Sequence, residues 1–112
     1  MLKRLIAINK IMVTYSYFRT LAPGTTVTIT DNFEPGRVTG ILAKQDTTFL
    51  DVGFKFRIGS EYITLDYVRF TSSEFTIPLS VKLIDVTPFR IDIINYSALV
   101  RNVSITIPLE VV

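Results

Sequence analysis

Apolar and polar residues alternate along most of this chain, and the alternation is clearest in its C-terminal half. Within residues 75–83 and again within residues 103–111, the odd-numbered positions are apolar and the even-numbered positions are polar or proline. A period of two sends one set of side chains into a core and the other into solvent. Residues 89–93 show a shorter alternation of the same kind. The pattern therefore predicts three strands, each with one buried face.

The alternation changes phase after the first of these strands. Ile84 and Val86 are apolar while Asp85 between them is charged, so the apolar positions move from odd to even numbers. A single inserted residue has this effect in a β-bulge. We therefore predict a bulge at this point.

Turn residues divide the N-terminal half into further strands. Glycine and proline occur together in segments 22–24 and 31–36, and Gly-Ser follows at 59–60. The strands predicted between these turns cover residues 25–30, 37–44 and 49–58. In the last of them Phe54 and Phe56 alternate with Lys55 and Arg57, which indicates aromatic rings in the core and cations in solvent.

Residues 61–70 differ from the other predicted strands because they are apolar on both faces. One face carries Ile63, Leu65 and Tyr67, and the other carries Tyr62, Val68 and Phe70. Strands of this kind are covered on both sides. We predict a central strand or one that lies in an interface.

Together these segments predict an all-β domain of about eight strands, spaced as in small β-sandwiches and barrels. We expect a single antiparallel sandwich or barrel of the jelly-roll or Greek-key kind, with hairpins between consecutive strands predominating. Residues 21–112 form the predicted β-sandwich domain. Residues 1–20 form an N-terminal arm and first strand, in which residues 1–10 are an arm, strand or short helix and residues 11–20 are a strand.

Two of the predicted strands contain nearly the same hexapeptide. Residues 76–81 read Thr-Ile-Pro-Leu-Ser-Val and residues 106–111 read Thr-Ile-Pro-Leu-Glu-Val. Either the two strands are equivalent in a pseudo-repeated sandwich, or the match is a coincidence in a chain rich in these residues. Pro78 and Pro108 lack an amide hydrogen, so we predict that both strands lie at sheet edges, at bulges or at crossovers between sheets.

Composition adds a hint of association. The apolar fraction is 48% and the mean hydropathy is +0.40, which is high for a chain of 112 residues. Apolar surface that a small core cannot hold is usually covered by a partner. The alternative is that a strand-rich chain is simply rich in Val, Ile and Thr. The net charge of +2 is small, and no basic stripe is visible along the sequence.

The residues needed for most catalytic chemistry are missing. The chain has no cysteine and no histidine, so it cannot form a thiol nucleophile, a disulfide or a histidine-based triad. Its carboxylates are dispersed, and the closest approach to a calcium loop, at residues 31–34, is explained by turn chemistry. We therefore predict no enzyme activity, cofactor or metal. The sequons at Asn95 and Asn102 are read as fortuitous, and no apolar run is long enough for a transmembrane helix.

These observations favour a structural assembly subunit, and specifically a small β-rich protein of a viral or bacteriophage virion. Its partners would be other protein subunits, in a homo- or hetero-oligomer, and its location the virion or otherwise the cytoplasm. The candidate interface residues are apolar or proline positions on the arm and the outer strands: Leu2, Leu5, Ile6, Tyr15, Tyr17, Tyr62, Val68, Phe70, Pro78, Pro108 and Val111.

A binding module is the alternative. Small β-barrels that expose aromatic and cationic side chains bind oligonucleotides or carbohydrates. Tyr15, Tyr17, Tyr62 and Tyr96 are the aromatic residues that would serve. The function that this alternative predicts is recognition of a polymer rather than assembly.

Overall fold

Every regular element is a β-strand in the part of the chain that the computed structural model describes, residues 11–46, 51–64, 66–70 and 72–111. The nine strands are β1 (Ile11–Leu21), β2 (Thr26–Phe33), β3 (Gly36–Gln45), β4 (Val52–Ile58), β5 (Glu61–Tyr62), β6 (Val68–Arg69), β7 (Glu74–Leu83), β8 (Thr87–Asn95) and β9 (Arg101–Val111). The all-β prediction is confirmed, and residues 11–20 do form a strand.

The strands form two antiparallel sheets that pack as a sandwich. Sheet A has the order β1-β9-β3-β7, and sheet B has the order β2-β8-β4-β5, with β6 also paired to β4. The first four strands therefore pair in reverse order with later ones: β1 with β9, β2 with β8, β3 with β7 and β4 with β6. The chain is thus folded into one long antiparallel pair of strands, and this pair is wound so that it forms both sheets. The pairs β3–β9 and β4–β8 connect successive turns of the winding.

This winding contradicts the prediction that hairpins between consecutive strands predominate. Among the described strands, β4 and β5 are the one consecutive pair that shares a ladder, and most other connections cross from one sheet to the other. The local pattern reports which face of a strand is apolar. It does not report which strand lies alongside, because the partner is chosen by the long-range packing of both sheets.

The core lies between the sheets and follows the predicted alternation. Val103, Ile105, Ile107 and Leu109 on β9 are at most 1% exposed, and Phe54 and Phe56 on β4 are fully buried. Along β7 the odd-numbered residues are half-buried and the even-numbered residues are exposed. The difference between β9 and β7 arises because β9 has neighbours on both sides whereas β7 lies at the edge of sheet A.

The prediction of one continuous strand over residues 61–70 is wrong. The structure has two short strands there, β5 and β6, separated by a bend. The amides of Ile63 and Thr64 both donate to the carbonyl of Phe56, and the Thr64 hydroxyl accepts from the Phe56 amide at 3.0 Å. These turn-like hydrogen bonds replace a continuous ladder. Within this bent segment Phe70 is buried in the core whereas Tyr62 is 51% exposed, so the segment is not a straight strand covered on both faces.

The bulge predicted at residues 84–86 is also wrong. These residues form the bend between β7 in sheet A and β8 in sheet B. Ile84 is 82% exposed and Val86 is 55% exposed. The phase change therefore marks the end of one strand and the start of another.

The two prolines differ in position. Pro78 lies on β7 at the edge of sheet A, which is the first alternative of the prediction. Pro108 lies on β9, a central strand, so the edge alternative does not apply to it. Both occur where pairing is irregular: the β3–β7 register shifts between Val38 and Gly40, and the β3–β9 register shifts between Val38 and Leu42. An irregular ladder tolerates the missing amide hydrogen of proline.

The repeated hexapeptides flank the same strand. Thr76 on β7 and Thr106 on β9 both lie opposite Leu42 of β3. The alignment does not continue along the hexapeptides, because Val38 lies opposite Val81 on β7 but opposite Leu109 on β9. The two segments therefore share a neighbour without occupying equivalent positions, since β9 is central and β7 is at an edge.

Candidate interaction surfaces

Strand β1 is a long edge strand with little protection. It pairs with β9 through eleven consecutive residues without a register shift, and its other side has no strand partner among the described residues. It contains no proline, and its one charged residue is Arg19. Ile11 and Phe18 are each 64% exposed, and Met12 is 50% exposed. Edge strands with these properties are templates for pairing with another chain.

The other edges are interrupted or short. Strand β7 carries the exposed Pro78, a register shift and the charged ends Glu74 and Lys82. Strand β2 carries Asp31, and β5 and β6 have two residues each. Short length, proline, charge and irregular pairing all discourage edge-to-edge association. Of the edges that the structure describes, β1 is the one best suited to it.

Exposed apolar side chains continue from β1 at one end of the sandwich. Ile11 lies opposite Val111, and Gly36 lies opposite Leu83, so the start of β1 and the end of β7 occupy the same end of sheet A. The bend that follows β7 exposes Ile84 and Val86. This end of the molecule therefore adds apolar surface to that of the β1 edge.

The inner face of β1 is anchored by two tyrosines. The Tyr15 ring lies 5.0 Å from the Phe33 ring in an edge-to-face contact, and the Tyr17 ring lies 6.0 Å from Phe89. The Tyr15 hydroxyl accepts a hydrogen bond from the amide of Glu34 at 3.0 Å, and the Tyr17 hydroxyl donates to a carboxylate oxygen of Asp31 at 2.7 Å. These contacts tie β1 of sheet A to β2 of sheet B and its following loop.

The hydrogen bond between Tyr17 and Asp31 changes the acidity of both groups. Burial, together with the Asp31 carboxylate, raises the pKa of Tyr17 above its ordinary value of 10. The Tyr17 hydroxyl and the Asn32 amide lower the pKa of Asp31 below its ordinary value. A raised tyrosine pKa means that the folded state holds this proton more tightly than the unfolded state does.

The stability of the fold should therefore fall at alkaline pH. The contribution of Tyr17 is complete below pH 10 and is lost as the pH rises above that value, because only the unfolded state then releases the proton readily. We expect the Tyr17→Phe variant to show a weaker alkaline decline in free energy of unfolding, measured by urea denaturation between about pH 9 and 11. Tyr62→Phe, which changes an exposed ring, should keep the full decline. Equal pH profiles for wild type and Tyr17→Phe would contradict this assignment.

The outer face of sheet B is cationic and aromatic. Its outward positions carry Lys55 and Arg57 on β4, Arg69 on β6 and Arg90 on β8. Three of these cations lie over tyrosine rings: Lys55 over Tyr67 at 4.9 Å, Arg57 over Tyr62 at 5.7 Å and Arg69 over Tyr96 at 4.1 Å. Distances under about 6 Å are attractive through the ring quadrupole.

Two arginines face each other at the centre of this surface. Arg57 and Arg90 are direct partners in the β4–β8 register. Asp92 neutralises part of the charge, because its carboxylate accepts from Arg90 at 3.1 Å and from the Thr28 hydroxyl at 2.6 Å. Shallow depressions of about 220 and 310 Å³ lie beside the pair, and both are lined by Arg57 and Arg90.

The structure distributes the predicted interface residues over several environments. Tyr15 and Tyr17 are half-buried anchors of β1, Tyr62 is 51% exposed on sheet B, and Val68 is half-buried. Phe70 is fully buried, so it belongs to the chain's own core rather than to its surface. Pro78 is exposed, whereas Pro108 and Val111 are half-buried on β9. Leu2, Leu5 and Ile6 lie outside the described residues.

Sequence reasoning did not single out the exposed apolar residues of β1, and it did not bring the cations of sheet B together on one surface. On β1 the sequence did contain a signal. Among the even-numbered residues, Thr14 and Ser16 are polar, whereas Met12 and Phe18 are apolar. On sheet B the cations come from three strands that are far apart in sequence, so no local pattern could reveal them. Within the described residues, no group of histidine, cysteine, aspartate or glutamate side chains is arranged to hold a metal, and no helix is long and apolar enough to cross a membrane.

Comparison with known proteins identifies the fold and no family. No family model and no curated protein matches the sequence. Among solved structures, the pre-peptidase C-terminal domain of collagenase from Bacillus anthracis matches with a TM-score of 0.63 at 10% identity, covering 85% of this chain and 89% of that one. The Yersinia pseudotuberculosis-derived mitogen matches with a TM-score of 0.55 at 13% identity, covering 88% and 87% of the two chains.

A third match is to part of a larger chain. The VP2 subviral particle of infectious bursal disease virus matches with a TM-score of 0.51 at 9% identity, covering 93% of this chain and 33% of that one. Identities this low establish a shared architecture alone. The chain is thus a β-sandwich of the kind found in these proteins.

Proposed function

We propose that this protein is a structural assembly subunit whose β1 edge pairs with a strand of a neighbouring subunit. The observation that carries the proposal is the contrast between β1 and the other edges of the two sheets. Strand β1 is eleven residues long and free of proline, and it exposes Ile11, Met12 and Phe18. A neighbour added along it would satisfy its outward backbone groups and cover these side chains.

The strength of one such contact is limited. Fully burying a large apolar side chain stabilises by about 1.5–3 kcal/mol, and these three residues are already partly covered. Association of two proteins costs about 4–15 kcal/mol in lost motional freedom. One edge contact is therefore weak on its own and gains strength when each subunit makes several contacts in a symmetric particle. The exposed Ile84 and Val86 offer a second apolar contact.

A virion is the more specific setting that we propose, with the cytoplasm as the alternative location. Support comes from the order of the strands, because a double strand wound into two sheets is the jelly-roll arrangement used by many viral capsid domains. The match to a subviral particle agrees with this setting at the level of fold. The partners would be other protein subunits, identical or different, and the role requires no catalytic chemistry.

The test is the molar mass of the protein in solution, measured by size-exclusion chromatography with light scattering over a range of concentrations. We expect wild type to form oligomers that grow with concentration and Phe18→Lys to shift them toward the monomer, because a lysine on the edge must remain solvated. Thr76→Lys on β7 is the matched control, since it adds the same charge to the opposite edge of sheet A. A wild-type protein that stays monomeric at high concentration would overturn the proposal.

A further inference from the structure

We infer that the outer face of sheet B binds single-stranded nucleic acid through the phosphates of its backbone. The site, called here the cationic face, consists of Lys55, Arg57, Arg69 and Arg90 with the rings of Tyr62, Tyr67 and Tyr96. It lies on the sheet that does not contain β1, so it is separate from the surface proposed for assembly.

The first support is the concentration of charge. The outward positions of the strands in sheet B carry four cations against one carboxylate, Asp92, a net of three positive charges. The whole chain has a net charge of only +2. The net charge of this face therefore exceeds that of the whole chain, although its cations are scattered along the sequence. Such a concentration attracts a polyanion.

The second support is the way in which the cations are held. A cation above a ring uses the face of the aromatic system and leaves its N–H groups available to an anion. Arg57 makes a cation–π contact with Tyr62 but no hydrogen bond and no ion pair with any described residue. Lys55 makes a cation–π contact with Tyr67 and, in the same way, no hydrogen bond or ion pair. Tyr62 and Tyr67 thus hold Arg57 and Lys55 in place while the N–H donors of these two cations stay unused.

The third support is the energetic conflict between Arg57 and Arg90. Like charges directly opposite on one face of an antiparallel pair destabilise it. The Asp92 carboxylate relieves Arg90, but the Arg57 guanidinium has no such counter-charge. A phosphate seated between the two guanidinium groups would supply it, and the depressions on either side are large enough for such a group.

The spacing of the cations favours an extended strand over a compact ligand. Arg57 and Lys55 are two residues apart on β4, and Arg69 lies opposite Gly53, two residues further on. Successive rows of the face are therefore about 6.8 Å apart, twice the rise per residue of a strand. This is comparable to the separation of consecutive phosphates in an extended single strand. Tyr62 and Tyr96, which are 51% and 43% exposed, can additionally contact bases with the parts of their rings that the cations leave open.

Fluorescence anisotropy with a labelled oligothymidylate of about 20 nucleotides tests the inference. We expect binding at low salt that weakens with a slope of about −2 to −3 in log affinity against log salt, since each of three or four phosphate contacts contributes about 0.7. The Arg57→Glu variant should bind at least about tenfold more weakly and with a smaller slope. Tyr62→Leu, which keeps the charge and removes a ring, should lose about five- to tenfold.

The matched control is Lys82→Glu, which makes the same charge change on the outer face of sheet A. It should retain at least about half of the wild-type affinity, and circular dichroism should show that all variants are folded. The inference is overturned if wild type fails to bind at low salt or if Lys82→Glu and Arg57→Glu lose affinity equally. Tighter binding to heparin or to a duplex of the same length would also overturn it, because the ligand would then be a sulfated polysaccharide or double-stranded nucleic acid.

Discussion

The Phe89→Ala variant is expected to lose about 3–5 kcal/mol of unfolding free energy, the range seen when a buried phenylalanine is truncated. Phe89 is 2% exposed and its ring stacks on Phe33 with centroids 4.0 Å apart. It also meets the rings of Tyr15, Tyr17 and Phe56 in edge-to-face contacts at 6.0–6.3 Å. Because these rings come from both sheets, the resulting cavity would weaken the contact between the two layers.

Equilibrium denaturation in urea measures this loss, and the chain provides a matched control. Phe18→Ala removes the same side chain from a position that is 64% exposed, so it should change the free energy of unfolding by less than about 1 kcal/mol. If Phe89→Ala were as stable as Phe18→Ala, the aromatic cluster would not be the centre of the core. A total stability of 5–15 kcal/mol is usual for a domain, so Phe89→Ala could leave little margin.

The Asn95→Asp variant is expected to lose a similar amount, about 3–5 kcal/mol at neutral pH, although it alters no apolar contact. Asn95 is fully buried at the end of β8. Its Nδ2 group donates to the carbonyls of Leu21, Ala22 and Leu99 at 2.7–3.3 Å, and its Oδ1 atom accepts from the amide and hydroxyl of Ser97. The substitution places a carboxylate oxygen against three carbonyl oxygens.

The pH dependence separates this effect from a simple loss of packing. A buried carboxyl that faces carbonyl oxygens favours its neutral, donating form, so its pKa in the folded variant should lie above that of the unfolded chain. The loss should therefore shrink as the pH falls and grow as it rises. Asn32→Asp makes the same change at an exposed position of β2 and should cost less than about 1 kcal/mol. A penalty for Asn95→Asp that is the same at acidic and neutral pH would contradict this account.

The same network explains why the sequon at Asn95 is unsuited to glycosylation. The side-chain nitrogen that would carry a glycan is engaged with three carbonyls in the interior of the folded chain. Sequence reasoning placed a turn or strand end at this position, which the structure confirms, since β8 ends at Asn95. It could not reveal the network, because Leu21 and Ala22 are more than seventy residues away along the chain.

The candidate surfaces show the same division between local and distant information. The alternation of Phe54, Lys55, Phe56 and Arg57 predicted two rings in the core and two cations on the opposite face. The rings are fully buried, and the cations lie on the outer face but are half-buried. Those cations form one surface with Arg90 and Arg69 only because β8 lies alongside β4 and places Arg90 opposite Arg57, and because β6 places Arg69 opposite Gly53. On β1, Tyr15 and Tyr17 are candidate interface residues, and their hydroxyls bind Glu34 and Asp31 of the same chain, contacts that no local pattern could reveal.

The sequence by itself determined that the chain is all-β, which side chains face the core in β4, β7 and β9, and that proline would occur where a ladder is irregular. These properties follow from the two-residue period and the missing amide of proline, and both act within a few residues. Only the tertiary structure decided which strands are neighbours, that β9 is central while β1 is an edge, and that residues 61–70 bend. Those outcomes depend on contacts between distant segments, whose energies are set when two sheets bury their apolar faces together.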